Sequence, residues 1–241
     1  MAFVHGKRTV VLADEYNLSP YFDSANVGRT RDIATVSPFT AAAKTKLTGL
    51  ADGKASLSGA GDFAPAAVDD VLNAALTAAA GVLLTIGLAG LAVGARVRLL
   101  KTHEASYDIS TTVDDAVKVA AEIEPSVDGV LAGVSLHDLE AENASGNGAG
   151  VDNGAATSDG WVAHAHCTAA SGGAPTLDLK LQDSADGSTW ADVAGGAFAQ
   201  LAAAGRQRLE GAGTLRRHAR LVRTIGGSNP SFTFAVAIAR R

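Results

Sequence analysis

Residues 16–63 read YNLSPYFDSANVGRTRDIATVSPFTAAAKTKLTGLADGKASLSGAGDF. A short polar strand is expected at Leu18, Ser19, Tyr21 and Phe22. A long arm follows, carrying Arg29, Arg31, Thr35, Phe39 and Lys44, and it closes on the stretch from Gly49 to Gly59 through the Asp52-Gly53 pair. Within that close, Ala55, Leu57 and Gly59 alternate with polar neighbours, as in a strand with one buried face. The arm, about 29–52, is long for a connection inside a compact domain, and loops of that length are usually functional or mobile.

One helix is legible beyond the arm, over 65–79. Pro65 suits a first turn, where its missing N–H costs nothing. Val68, Val71, Leu72, Ala75 and Leu76 recur at spacings of three and four. Asp69 and Asp70 favour the N-terminal dipole, and Gly81 is a natural stop. Strands surround the helix at 9–13, 82–86, 96–99, 117–124 and 133–137. The continuous apolar run at 82–86 fits a strand buried on both faces. Val117, Val119, Ala121 and Ile123 share one face of their strand and are expected to pack on Val68, Leu72 and Leu76, leaving Lys118, Glu122 and Glu124 on the other.

Residues 143–160, NASGNGAGVDNGAATSDG, are small, polar or glycine and predict a flexible linker. Beyond it, strands are expected at 161–168, 176–182, 189–193, 207–210, 217–224 and 231–239. Their length and spacing suggest a β-sandwich, with Phe232, Phe234, Val236 and Ile238 supplying its core at period two. The resulting expectation is a mainly β chain, all-β with one flanking helix. It has an N-terminal domain over 1–142, a linker over 143–160 and a C-terminal β-sandwich over 161–241.

The chain of 241 residues has a net charge of −5, which argues against a dedicated nucleic-acid binder. Residues 1–142 carry 11 Lys and Arg against 18 Asp and Glu, and residues 143–241 carry 9 against 7. Cys167 is the single cysteine, so no internal disulfide and no paired-cysteine metal site are possible. The first eight residues lack the apolar core of a signal peptide, and synthesis in a cytoplasm is expected. The uncharged stretch 74–95 matches a bilayer span in length, but Gly81, Gly87, Gly90 and Gly94 interrupt it. A helix end, a strand and a hairpin buried in protein are expected there.

Several residues resemble chemistry without composing a site. His164 and His166 share one strand face, Cys167 takes the other, and His218 or Asp192 could complete a metal set. No second spaced ligand pair accompanies them, so surface or half-buried strand positions are the expectation. The G-x-S-x-G elbow and both glycine-rich phosphate loops are absent. Asp69 with Asp70, and Asp114 with Asp115, read as a helix start and a turn. Arg216, Arg217, Arg220 and Arg223 form the densest basic cluster, but no aromatic residue interleaves with them to stack bases. A solvated strand or a subunit contact is expected. No enzyme activity, cofactor or metal is indicated.

The order of these elements resembles the tail tube, or major tail, proteins of long-tailed bacteriophages. The likeness covers most of residues 1–142: the arm, the Asp52-Gly53 turn, the strand at 55–58, the helix, and the close through 115–123, Asp128-Gly129-Val130 and 133–137. Residues 156–241 resemble a recurrent phage tail-protein module, carried by the stretches LDLKLQDSADGSTW (177–190) and PSFTFAVA (230–237). Short tube proteins lack this extension.

The resemblance implies a structural virion protein, assembled in the host cytoplasm, whose hexameric rings stack into a tube for DNA ejection. It implies an arm that joins stacked rings through Arg29, Arg31, Phe39 and Lys44. Lys118, Glu122 and Glu124 would face the channel or a neighbouring subunit, and the C-terminal sandwich would face outward. The implied partners are other copies of the chain, the tape measure protein, the tail terminator, and genomic DNA passing without specific binding, with no membrane insertion. A second reading is a binding module whose C-terminal sandwich holds a glycan or cell-surface ligand, with Trp161 and Trp190 as its stacking residues.

Overall fold

The computed structural model describes residues 6–37 and 43–241. As expected, strand dominates. A 3-10 turn at Gly6–Arg8 leads into β1 (Val10–Ala13) and β2 (Tyr16–Asn17). β3 (Phe22–Thr35) and β4 (Lys46–Ala60) come next, then α1 (Val68–Thr77), β5 (Val82–Gly87), β6 (Arg96–Ser110) and β7 (Lys118–Glu142). β8 (Gly146–Asn147) and β9 (Val151–Asp152) are short. β10 (Trp161–Ser184), β11 (Ala191–Ala197), β12 (Gly205–Gly211) and β13 (His218–Arg240) complete the order.

Two compact units emerge, and they do not follow the predicted boundary after residue 142. One takes the chain up to Pro20, Leu83–Leu99 and Leu131–Arg241; the other takes Tyr21–Val82 and Leu100–Val130.

The first unit is organised by β10 and β13. They pair antiparallel from Trp161 opposite Arg240 to Ser184 opposite His218, with register shifts between Cys167 and Thr176. Gly172 and Gly227 have positive φ there. A Cβ on Gly172 would lie 2.7 Å from the Asn229 carbonyl oxygen, a conformation and an approach that suit only glycine. The irregular centre lets both halves of the pair enclose one core. Trp161, Phe232, Phe234 and Ile238 from one half share it with Leu177, Leu179, Leu181 and Leu221 from the other.

The mainly β expectation therefore holds, as a large antiparallel sheet, with the predicted period-two residues in this core. β12 flanks the first half of β10, and the end of β7 flanks the last part of β13. The intervening residues Ala235, Ala237 and Ala239 face the other way, into a second cluster with Leu12, Leu91, Val97 and Leu99. β13 is thus buried on both faces over residues 234–239. Its large side chains supply most of the burial energy, about 1.5–3 kcal/mol for each fully buried large apolar residue. Its alanines leave room for the second layer.

The predicted linker is not a linker in the structure. β8 pairs with Val222 and Arg223, and β9 pairs with His218 and Ala219. Val151 is buried, and Gly148 and Asn153 donate backbone hydrogen bonds to Leu221 and Arg217. The segment has few large apolar side chains, but backbone groups of it are satisfied by the edge of β13, which composition cannot reveal.

In the second unit, β4 pairs with β3 along its length and with β7 over 55–60. Ala55, Leu57, Val119, Ala121 and Ile123 are buried, as are Val68, Val71 and Leu72 of α1. Leu76, expected in the helix stripe, is 43% exposed. The helix is shorter than predicted: Pro65 lies in the turn before it, and it ends ahead of Gly81, whose φ is positive. Tyr107 donates a 2.7 Å hydrogen bond to Asp69 in the first helical turn. Of the uncharged stretch 74–95, residues 82–87 form the buried strand β5. No helix among the described residues is long and apolar enough to cross a membrane.

Candidate assembly surfaces

The predicted arm is a hairpin. Its register runs from Phe22 opposite Gly59 to Thr35 opposite Lys46, with a shift between Arg31 and Ile33. β3 pairs only with β4 among the described strands. Beyond Arg29 and Gly53 no described hairpin residue is buried. Ile33, Leu47 and Leu50 are 59%, 57% and 81% exposed. An isolated two-stranded hairpin is marginal in water, and large apolar side chains left exposed along one are what a covering partner would bury.

Arg29, Arg31 and Lys44 are exposed on this arm and make no ion pair among the described residues. Arg29 and Arg31 share a strand face. Phe39 lies outside the described residues.

Lys118, Glu122 and Glu124 are exposed on β7, opposite in pleat to the buried Val119, Ala121 and Ile123. Lys118 pairs with Asp115 at 2.8 Å, and Glu122 lies 3.7 Å from Lys54 of β4. Both pairs are solvated and contribute little to stability.

The histidines differ from expectation. His164 and His166 are fully buried, not at the surface. Thr85 Oγ1 lies 3.2 Å from His164 Nδ1 and 2.8 Å from His166 Nε2. His166 Nδ1 lies 2.6 Å from the Asp14 carbonyl oxygen. That carbonyl can only accept, so His166 Nδ1 carries the proton and Nε2 accepts from Thr85. Burial depresses both imidazoles, His166 to about 4 and His164 well below its ordinary value.

The Asp14 carboxylate accepts from the Leu83 N–H at 2.8 Å and pairs with Arg206. Burial still raises it to about 6. This is a satisfied interior network. His218 of β13 and Asp192 of β11, the other candidate metal ligands, pair with Ser184 and Gln182 at the far end of β10, away from His164. Cys167 is buried, and burial pushes its thiol up to about 11, an unreactive state.

The four arginines of the basic cluster are engaged internally. Arg216 and Arg217 pair with Asp183 and Asp152, and Arg223 pairs with Glu142 at 2.7 Å. Arg220 donates to Gln182 and sits 4.4 Å over the Trp190 ring. The proposed glycan residues fare no better. Trp161 is 1% exposed, and Trp190 is stacked beneath Arg220 with Gly150 packed close on its ring.

Sequence reading missed two features. His137 is buried, stacks on Phe234 at 4.3 Å and lies 3.2 Å from Glu142. With Glu140 these groups could surround a cation, but Arg223 already neutralises Glu142. Glu104 of β6 is buried, and neither carboxyl oxygen has a hydrogen-bond partner. Burial raises it to about 8. Neither feature leaves a spacing signal, because both depend on pairing between distant strands.

No protein-family model and no curated protein matches the chain. Among solved structures it is similar to a chain in the virion of a native gene transfer agent particle. That match has 10% identity over 52% of this chain and 95% of that one, at a TM-score of 0.43. It is similar to the SPP1 tail tube, with 12% identity over 54% of this chain and 78% of that one, at a TM-score of 0.43. It is similar to the SPP1 Dit protein, described as a hub adsorption apparatus of phages infecting Gram-positive bacteria. There the identity is 12% over 96% of this chain and 98% of that one, at a TM-score of 0.38.

Proposed function

We propose that the chain is a structural subunit of a bacteriophage tail, forming rings of six copies that stack into a tube for DNA. The observation that carries this reading is the β3–β4 arm. It exposes Ile33, Leu47 and Leu50 on a hairpin whose outer edge, on β3, is unpaired among the described strands. Unpaired edges and exposed apolar side chains are what assembly covers, and a head-to-tail interface whose rotation closes generates a ring. The order of arm, turn, helix and closing strands resembles tail tube proteins and supports the same reading.

In this reading the arm joins one ring to the next through Arg29, Arg31, Phe39 and Lys44. Lys118, Glu122 and Glu124 face the channel or a ring neighbour. The acidic balance of residues 1–142 keeps DNA phosphate from binding the wall. The strands over 161–241 stand outside, where their basic residues are kept off the DNA path. The ends of the tube meet a tape measure protein and a tail terminator. The role is mechanical, in the virion tail, with no catalysis.

Negative-stain electron microscopy of the purified full chain tests this directly. Stacked rings or tubes are the expected result. Monodisperse monomers at all concentrations, with the fold intact, would overturn the proposal.

A further inference from the structure

An irregularity in β7 gathers three side chains of metal-ligating type in the first unit. Phe234 of β13 stands opposite Glu140, and Val236 stands opposite His137. Between these pairs β13 advances two residues while β7 advances three. The extra residue turns His137 onto the strand face that carries Glu140 and Glu142. Plain alternation would put His137 on the opposite face. Bulges that re-aim a side chain in this way are common beside functional sites.

His137 is fixed from behind. Its Nδ1 lies 2.7 Å from the Asp138 carbonyl oxygen and 3.3 Å from that of Phe234. Carbonyls only accept, so Nδ1 carries the proton. In the neutral ring Nε2 is then a bare acceptor. It lies 3.2 Å from Glu142 Oε1 and 3.9 Å from Glu140 Oε1. Three acceptors converge with no hydrogen between them. The His137 side chain is only 3% exposed, and a buried polar atom aimed at acceptors calls for a missing positive partner.

Arg223 does not fill that gap. It pairs with Glu142 Oε1 at 2.7 Å while its Nε donates to the Ala144 carbonyl. It neutralises one carboxylate and leaves the other. A carboxylate has about four lone-pair sites, so Glu142 can serve Arg223 and an ion together. The surrounding contacts have the form that ligands need. The second nitrogen of the histidine donates to a backbone carbonyl, and one carboxylate is itself hydrogen-bonded. Phe234 covers one side of the imidazole at 4.3 Å, and Glu140, 60% exposed, opens a path from solvent.

We propose that His137 Nε2, Glu140 and Glu142 hold a divalent transition-metal ion of the zinc type. One imidazole with two carboxylates suits zinc better than calcium or magnesium, which take oxygen ligands. The ligand atoms all lie within 4.8 Å of one another. At zinc bond lengths, tetrahedral ligand atoms are about 3.3 Å apart. The His137–Glu142 distance already matches, and only the exposed Glu140 has to move inward. Three protein ligands leave the fourth position to water. The site does not depend on the assembly role proposed above.

The test is equilibrium dialysis of the untagged full chain against zinc chloride, with calcium and magnesium chloride as comparisons. It works equally on monomers, rings or tubes. Saturable uptake of one zinc per chain is expected, with X-ray absorption showing one imidazole among oxygen ligands. Glu140→Gln changes an exposed residue and leaves the fold intact. It should weaken zinc uptake about tenfold, the effect of one charged contact. His137→Asn should abolish the imidazole signature. No saturable zinc uptake by the folded parent chain would overturn the proposal. So would uptake unchanged by Glu140→Gln, a zinc shell without imidazole, or tighter binding of calcium than of zinc.

Discussion

Thr85 Oγ1 lies 2.8 Å from Nε2 of His166, joining residues 81 positions apart in the buried centre of the first unit. The same oxygen reaches His164 Nδ1 at 3.2 Å. One hydroxyl therefore donates to one imidazole and accepts from the other. Thr85→Val keeps the shape and removes both partners. The loss should be about 1–3 kcal/mol, the penalty for unsatisfied buried polar groups. Urea unfolding should show a lower midpoint at unchanged slope. Thr85→Ser should recover most of it, and an unchanged midpoint in Thr85→Val would mean the hydroxyl makes no such bonds in solution.

The same pair sets an acid limit. Burial holds His166 near 4 and His164 well below its ordinary value of 6.5. Below 6.5 the unfolded chain takes up protons that the folded chain refuses. Stability is therefore complete above 6.5 and falls as the pH drops toward 4. Asp14, raised to about 6 by burial, acts in the opposite sense between its ordinary value and 6. It offsets only one of the two histidines. Thermal melts from pH 7 to 4.5 should show a falling Tm, and His166→Asn, which keeps a donor for the Asp14 carbonyl, should flatten the fall. A Tm independent of pH in the parent chain would contradict neutral buried imidazoles.

Glu104 sets an alkaline limit. Both of its carboxyl oxygens lack partners, and burial raises it to about 8. The folded state keeps a proton that the unfolded state has already released. Its contribution is fully present below the ordinary carboxyl range and is lost as pH rises through about 8. Glu104→Gln should leave stability near pH 5 little changed and raise it above pH 8, read by urea midpoints at both values. A lower midpoint for the variant at pH 9 would show that the ionised carboxylate has a partner.

The alanine face of β13 should resist enlargement. Ala237 is buried against Leu12, Leu91, Val97 and Leu99. Ala237→Leu adds apolar volume yet should destabilise by about 1–3 kcal/mol, because a packed layer has no room for it. Denaturant unfolding decides this, and a stabilised variant would reveal a void beside the strand.

What could be read in advance follows from the range of each signal. The alternation of Phe232, Phe234, Val236 and Ile238 and the spacing of Val68, Val71 and Leu72 are local, and all these residues are in buried cores or in direct contact with them. The pairing of residues 146–152 with β13 was hidden because backbone hydrogen bonds leave no side-chain pattern. The burial of His164 and His166 depends on Thr85 and Asp14, which only the fold brings near. The arm was legible by its length and charge but not as a hairpin, because Ile33, Leu47 and Leu50 follow no period of two and none of them faces a core. The start of the β-rich C-terminal part was read too late in the chain, since the end of β7 and the strands β8 and β9 pair with β13.

The arm makes the sharpest prediction about assembly. Leu47 and Leu50 are on its exposed part, where no described residue is buried. Leu47→Asp and Leu50→Asp remove apolar surface from that part and leave every described core residue in place. In the single chain the change should be near neutral, within about 0.5 kcal/mol, as for surface positions generally. In an assembly where another ring covers these leucines, each carboxylate would be buried without a partner, at a cost of several kcal/mol. The two effects separate cleanly: unchanged thermal melting of dilute protein, with rings that no longer stack. Deleting 36–46 should act the same way, leaving soluble subunits or single rings in electron micrographs. Long tubes of normal appearance from either variant would show that the arm does not join rings.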